Sequence, residues 1–140
     1  MNYDDIANEL FQQLRNNSKT SLTQMLNDFN CGEIGVLGYL VFDKDNVTSG
    51  ELSDKLDVTT ARIASVLNSL ESKGYIKRNI DSGDKRKILV TITDKGRVLV
   101  YKVKKELTDK IINLLKVVSY DDIKEYMRIS LEIRKILSKQ

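Results

Sequence analysis

No histidine, proline or tryptophan occurs in these 140 residues, and there is a single cysteine, Cys31. Without histidine there is no histidine-based catalytic triad and no histidine-rich metal site, so zinc sensing of that type is excluded. One cysteine cannot build an intramolecular disulfide framework and fits a reducing compartment. The longest uninterrupted apolar run, residues 36–42 with an embedded glycine, is far too short to cross a bilayer. A phosphate-cradling loop of the form G-x-x-x-x-G-K is missing as well. The opening residues are acidic and do not resemble a secretory or transit peptide, so a cytoplasmic location is expected. The paired acids Asp4–Asp5 and Asp121–Asp122 fall near helix starts, where negative charge suits the helix dipole better than it suggests catalysis. No enzymatic activity and no cofactor are expected.

What is present favours helices: 41% apolar and 31% charged residues, with leucine, isoleucine, lysine and glutamate abundant. The chain is most simply one domain with a sizeable core. Ile6, Leu10 and Leu14, spaced four apart, predict a helix over 3–15. After a polar break at 15–21, Leu22, Met25, Leu26 and Phe29 resume a helical stripe. A turn at 30–33 leads into a short, almost wholly apolar helix, which must be buried on most sides. Thr48 and Glu51 make a capping-box pattern that opens a two-turn helix ending near Leu56. Thr59 or Thr60 then caps a second helix to about Lys73. Its buried stripe is Ile63, Val66, Leu67 and Leu70, and Gly74 is its natural stop.

Two alternating segments follow, 76–80 and 88–92, and they read as paired strands. Between them lies a polar run of seven residues, 81–87, where a tight hairpin needs only about two. Thr93 caps a long helix to about Lys116. A last helix opens at 119–122, with Ile123, Tyr126, Ile129, Ile133 and Ile136 recurring along one face.

Charge is unevenly placed. Between residues 73 and 97 stand eight basic residues (Lys73, Lys77, Arg78, Lys85, Arg86, Lys87, Lys95 and Arg97) against Asp81, Asp84 and Asp94. That segment carries +5, so the rest of a chain with net +3 carries −2. A local basic region on a nearly neutral protein is the electrostatic footprint of a nucleic-acid contact, although a solvated charged turn has the same composition.

Helix, turn, helix and basic hairpin, in that order, is the layout of a winged helix-turn-helix. The fold class expected is therefore mainly α with a small β-hairpin wing. The DNA major groove is about 12 Å wide and admits one helix. The helix from Thr59 turns Thr59, Thr60, Arg62, Ser65, Asn68 and Ser69 outward, short polar side chains plus one arginine suited to guanine or phosphate. In the loop, Lys85, Arg86 and Lys87 are placed for phosphates or a minor groove. Asp84 is placed to orient one of those cations, and Gly83 gives the turn its backbone freedom.

Residues 51–96 resemble the core of MarR-family transcriptional regulators. The shared pattern comprises the leucine-rich helix pair, the segment running into Lys73-Gly74-Tyr75-Ile76, and the acid-rich wing Asp81-Ser-Gly-Asp84-Lys85-Arg86. It closes on Thr93-Asp-Lys-Gly96. Lysine at 85 departs from the family's usual arginine. The resemblance implies one MarR-like domain over 1–140, with residues 1–30 and 97–140 forming a helical dimerisation region and 34–96 a DNA-binding lobe. It implies a homodimer on a palindromic operator, acting as a repressor and released by a small ligand or an oxidant. Arg86 would enter the minor groove and the face around Arg62 would read the major groove. Ile6, Leu10, Leu14, Ile123, Tyr126, Ile129, Ile133 and Ile136 supply apolar surface for self-association; an internal helical bundle with residues 3–29 is the competing use of it.

Two other readings remain open from sequence. A winged helix can dock an acidic protein partner through its wing. Cys31 could report oxidation, as a lone cysteine does in some family members. It lies at a turn, with Asp28 and Glu33 as its nearest charges in sequence, surroundings that blunt a thiol and favour a structural or incidental role.

Overall fold

The computed structural model describes residues 2–16 and 22–139. The polar break at 15–21 falls largely outside them. The chain forms two compact units, Met1–Val103 and Lys104–Gln140.

The first unit begins with α1 (Tyr3–Asn16) and α2 (Leu22–Asn30). Asp4 and Asp5 in the first turn of α1 and Arg15 in its last complement the helix dipole, yet no residue of this helix is buried. The turn into α3 (Gly32–Phe42) places Gly32 at a φ of 60°, a conformation that glycine adopts without strain. The turn is tight. A Cβ on Gly35 would lie 2.3 Å from the Asn30 carbonyl oxygen. As its composition requires, α3 buries Gly35, Val36, Leu37, Gly38 and Leu40.

Next come β1 (Val47–Thr48), α4 (Ser49–Leu56) and α5 (Thr60–Ser72). Thr48 caps α4 by accepting from the Glu51 amide at 3.2 Å. The reciprocal half of the expected capping box is replaced by an ion pair, because the Glu51 carboxylate takes Lys44 Nζ at 3.1 Å. Asp57 turns the chain with a left-handed φ of 52°. Between the two helices the Ser53 hydroxyl donates to the Val58 carbonyl, which satisfies the buried serine and fixes the turn. Thr59 caps α5 by accepting from the Arg62 amide. Gly74, at a φ of 79°, ends it.

The hairpin strands are β2 (Ile76–Ile80) and β3 (Ile88–Ile92), in antiparallel register from Ile76 opposite Ile92 to Ile80 opposite Ile88. Sequence periodicity did not reveal β1. It pairs with the far side of β3, Val47 opposite Val90, so that the sheet order is β1-β3-β2. Two residues are too few to show a period. Ile80 and Ile88 are exposed, so the outer half of the hairpin extends beyond the core.

The core joins every element of this lobe. Val36, Leu37 and Leu40 meet Val47, Leu52, Ile63, Leu67, Leu70, Ile76 and Val90, with Val100 from α6 (Asp94–Leu115) closing it. Burying each of these side chains contributes about 1.5–3 kcal/mol. The stripe expected on α5 is present, with Val66 only half-buried. Thr93 accepts from the Gly96 amide at the start of α6. Gly96 itself packs so closely on the sheet that a Cβ there would lie 2.4 Å from the Tyr75 carbonyl oxygen.

The second unit holds the end of α6 and α7 (Tyr120–Leu137). Ser119 caps α7, and Arg128 bridges Glu125 and Glu132 along its polar side. No residue of α7 is buried. No helix among the described residues is long and apolar enough to cross a membrane.

Candidate nucleic-acid interface

The core fixes which side of α5 faces out. With Ile63, Leu67 and Leu70 inward, Thr59, Thr60, Arg62, Ser65 and Asn68 are exposed, as expected, and so are Ala61 and Ala64. The two alanines carry no hydrogen-bonding group, so their sequence gives no sign of a place on this face. Their value is smallness, which leaves the helix backbone approachable.

Ser69 departs from its expected outward position. It is half-buried, and its hydroxyl donates to the Glu33 carboxylate at the start of α3. Lys73 Nζ lies 2.9 Å from both oxygens of the same carboxylate. The Ser69 hydroxyl first, and Lys73 after it, hold the Glu33 carboxyl below the usual carboxylate range against the opposing effect of partial burial. The periodicity of α5 alone could not show this, because Glu33 lies 36 residues away.

On the opposite flank, Arg78 of β2 bonds to the Glu71 carboxylate through Nε and to Asn68 Oδ1 through Nη2 at 2.8 Å. Arg97 pairs with Asp45, whose other carboxylate oxygen accepts the Ile92 amide. Lys95 donates to the Lys73 carbonyl and lies over the Tyr75 ring. The basic segment read from sequence is thus divided. Lys73, Arg78 and Arg97 balance acids within the lobe, and the basic side chains that project lie on the hairpin.

In that hairpin the Asp81 amide donates to the Lys87 carbonyl and the Lys87 amide to the Asp84 carbonyl, which closes the tip. The Asp84 carboxylate accepts from the Arg86 amide at 3.0 Å and lies 3.4 Å from its guanidinium. This is the orienting contact expected of Asp84. The Arg86 side chain is 92% exposed, and Lys85 and Lys87 are also exposed. Arg86, Lys85 and Lys87 therefore form a cationic tip held in shape by two aspartates.

A cavity of about 380 Å³ opens between the end of α2 and the turn from α4 into α5, lined by Asn30, Cys31, Val58, Thr59 and Arg62 among others. Cys31 is exposed and stands at the N-cap of α3 without a side-chain capping bond.

The sequence pattern of the family described as "Winged helix DNA-binding domain" matches residues 33–111, more than half of the chain. The chain belongs to the winged helix DNA-binding domain family. Within this winged helix, α4 and α5 form the helix-turn-helix and the β2–β3 hairpin is the wing. A curated relative, an uncharacterised HTH-type transcriptional regulator named YdgJ from Bacillus subtilis (strain 168), is 34% identical over 67 residues. That match spans 48% of this chain and 41% of the relative, less than half of either.

Solved structures match over nearly the full length. A MarR family protein from Bacillus stearothermophilus superposes with a TM-score of 0.73 at 19% identity, covering 99% of each chain. The transcriptional regulator BldR from Sulfolobus solfataricus gives 0.64 at 23% identity, covering 100% of each. A variant of Staphylococcus aureus MepR bound to oligodeoxyribonucleotide gives 0.59 at 24% identity, covering 95% of this chain and 96% of that one. At these identities the likeness establishes the fold. The architecture is the MarR-type winged helix, as the residues at 51–96 suggested.

Proposed function

We propose that this winged helix is a sequence-specific regulator of transcription that binds duplex DNA in the cytoplasm as a homodimer and represses from a palindromic operator. The observation that carries the reading is the exposed, small and polar face of α5 beside the cationic wing tip of Lys85, Arg86 and Lys87. Thr59, Thr60, Arg62, Ser65 and Asn68 would lie in the major groove, with Ser69 bracing the helix from behind. Arg62 offers a bidentate fork to guanine or phosphate. The wing tip would meet backbone phosphates and the neighbouring minor groove, with Arg86 foremost and Asp84 holding it. Exposed apolar side chains on α1 and α7 supply the surface for self-association, including Ile6, Leu10, Leu14, Tyr126, Ile129, Ile133 and Ile136, with half-buried Ile123 beside them.

Selection of bound sequences from random duplexes tests the proposal. A two-fold dimer should recover a palindrome whose half-sites lie about one helical turn apart. Recovery of no common sequence would refute it.

One observation favours a regulated form of the same function. Cys31 and Arg62 line one cavity, so a small effector bound there, or oxidation at Cys31, would act next to the start of α5. If peroxide releases the DNA, Cys31→Ser should abolish that release. If Cys31→Ser still releases, the thiol is not the sensor.

A further inference from the structure

Asn68 stands on the exposed face of α5, and its amide has two different ends. Asparagine in the major groove ordinarily recognises adenine by using both, accepting from N6 and donating to N7. Here one end is already engaged. Arg78 Nη2 lies 2.8 Å from the Asn68 side chain. A guanidinium carries only donors, so the atom it faces must be the amide oxygen, and the choice of amide orientation follows from chemistry. Arg78 is itself held, because its Nε bonds to Glu71, one turn along the same edge of the helix. The oxygen keeps a second lone pair, but it is turned toward Arg78 on the wing strand, so the Asn68 NH2 group is the end that faces a ligand.

We infer that Arg78 acts as a positioning residue that makes Asn68 a donor-only reader, so that the base it meets is guanine in preference to adenine. Guanine presents two acceptors on its major-groove edge, N7 and O6, whereas adenine would set its own N6 donors against the amide donors. Thymine, with O4, ranks second. Cytosine, with a donor at N4, is disfavoured. The inference rests on the DNA-binding reading above and adds to it the polarity of one contact. It also gives the Arg78–Glu71 pair a role in specificity. Paired with Glu71, Arg78 is balanced in charge and contributes little attraction for phosphate.

The test is selection from random duplexes with the wild-type chain, Asn68→Ala and Arg78→Met. The wild type should select guanine at a position where Asn68→Ala loses preference by roughly three- to tenfold, the worth of one neutral hydrogen bond. Arg78→Met, which frees the Asn68 oxygen, should shift that same position toward adenine while the rest of the operator is retained. Should Arg78→Met lose its cooperative melting transition, Glu71→Ala unfastens the same arginine and should move the position in the same direction. Adenine at the Asn68-dependent position of the wild type, an unchanged guanine in the Arg78 and Glu71 variants, or no position that depends on Asn68 would each overturn the inference while leaving DNA binding intact. If the wild type selects no sequence at all, the DNA-binding reading falls, and this one with it.

Discussion

Arg86 and Arg62 separate two kinds of contact on the proposed interface. Arg86 projects from the wing tip with its guanidinium 3.4 Å from Asp84. Its replacement by alanine should weaken binding to all duplexes and lower the salt slope by about one, with base preference kept. Arg62→Ala should cost about 1–3 kcal/mol on the selected operator and relax preference at one position. Titrations of a selected and a scrambled duplex with both variants distinguish the two; equal losses on both duplexes for Arg62→Ala would remove it from base reading. Gly96 makes a prediction about stability. An added methyl would meet the Tyr75 carbonyl and the Ile92 side chain, so Gly96→Ala should destabilise by about 1–3 kcal/mol, the usual cost of overpacking. A thermal melt checks it, and an unchanged midpoint would show that the sheet yields. At this scale the sequence was partly legible. Short polar residues on an amphipathic helix announce an exposed face. The partners of Lys73, Arg78 and Arg97 did not show, because a charge count cannot see that Glu33, Glu71 and Asp45 lie opposite them.

The elements of the lobe were largely readable, since each is set by a local cause. Thr48 and Thr93, and Thr59 of the pair Thr59 and Thr60, each accept an amide at the helix start where their sequence position suggested it; Ser119 does the same at the start of α7. The strand β1 and the inward turn of Ser69 were not readable, because both depend on partners distant in the chain. Glu33 now joins α3 to α5 through Ser69 and Lys73, and that joint carries a pH dependence. Its carboxyl is held below the ordinary range in the folded state. The stabilisation is therefore fully present above the unfolded-state value and is lost as pH falls through the lowered folded value. Melting followed from neutral to acid pH should show the midpoint falling there, and Glu33→Gln should flatten that part of the profile. A Glu33→Gln profile that overlays the wild type would locate the acid sensitivity elsewhere.

The molecule as a whole leaves much apolar surface uncovered. Tyr3, Leu10, Phe11 and Leu14 of α1 and Tyr126, Ile129, Ile133 and Leu137 of α7 are all about half exposed or more, save Ile129 at 42%. On the proposed reading this exposed apolar surface is where two copies associate. Sedimentation should give twice the monomer mass, and the double variant Ile129→Asp/Ile133→Asp should give the monomer. A wild-type monomer at micromolar concentration would refute the self-association. The winged-helix order of elements could be read from sequence; what covers these stripes could not, since periodicity reports that a face is apolar and not what meets it. On the proposed reading each of two copies presents a small polar helix and a cationic wing to the phosphate-flanked grooves of DNA. Affinity for a selected duplex, measured from 50 to 200 mM salt, tests it most directly. If six or more phosphates are neutralised, binding should fall by about three decades or more across that range. Affinity that stays level across it would contradict that reading.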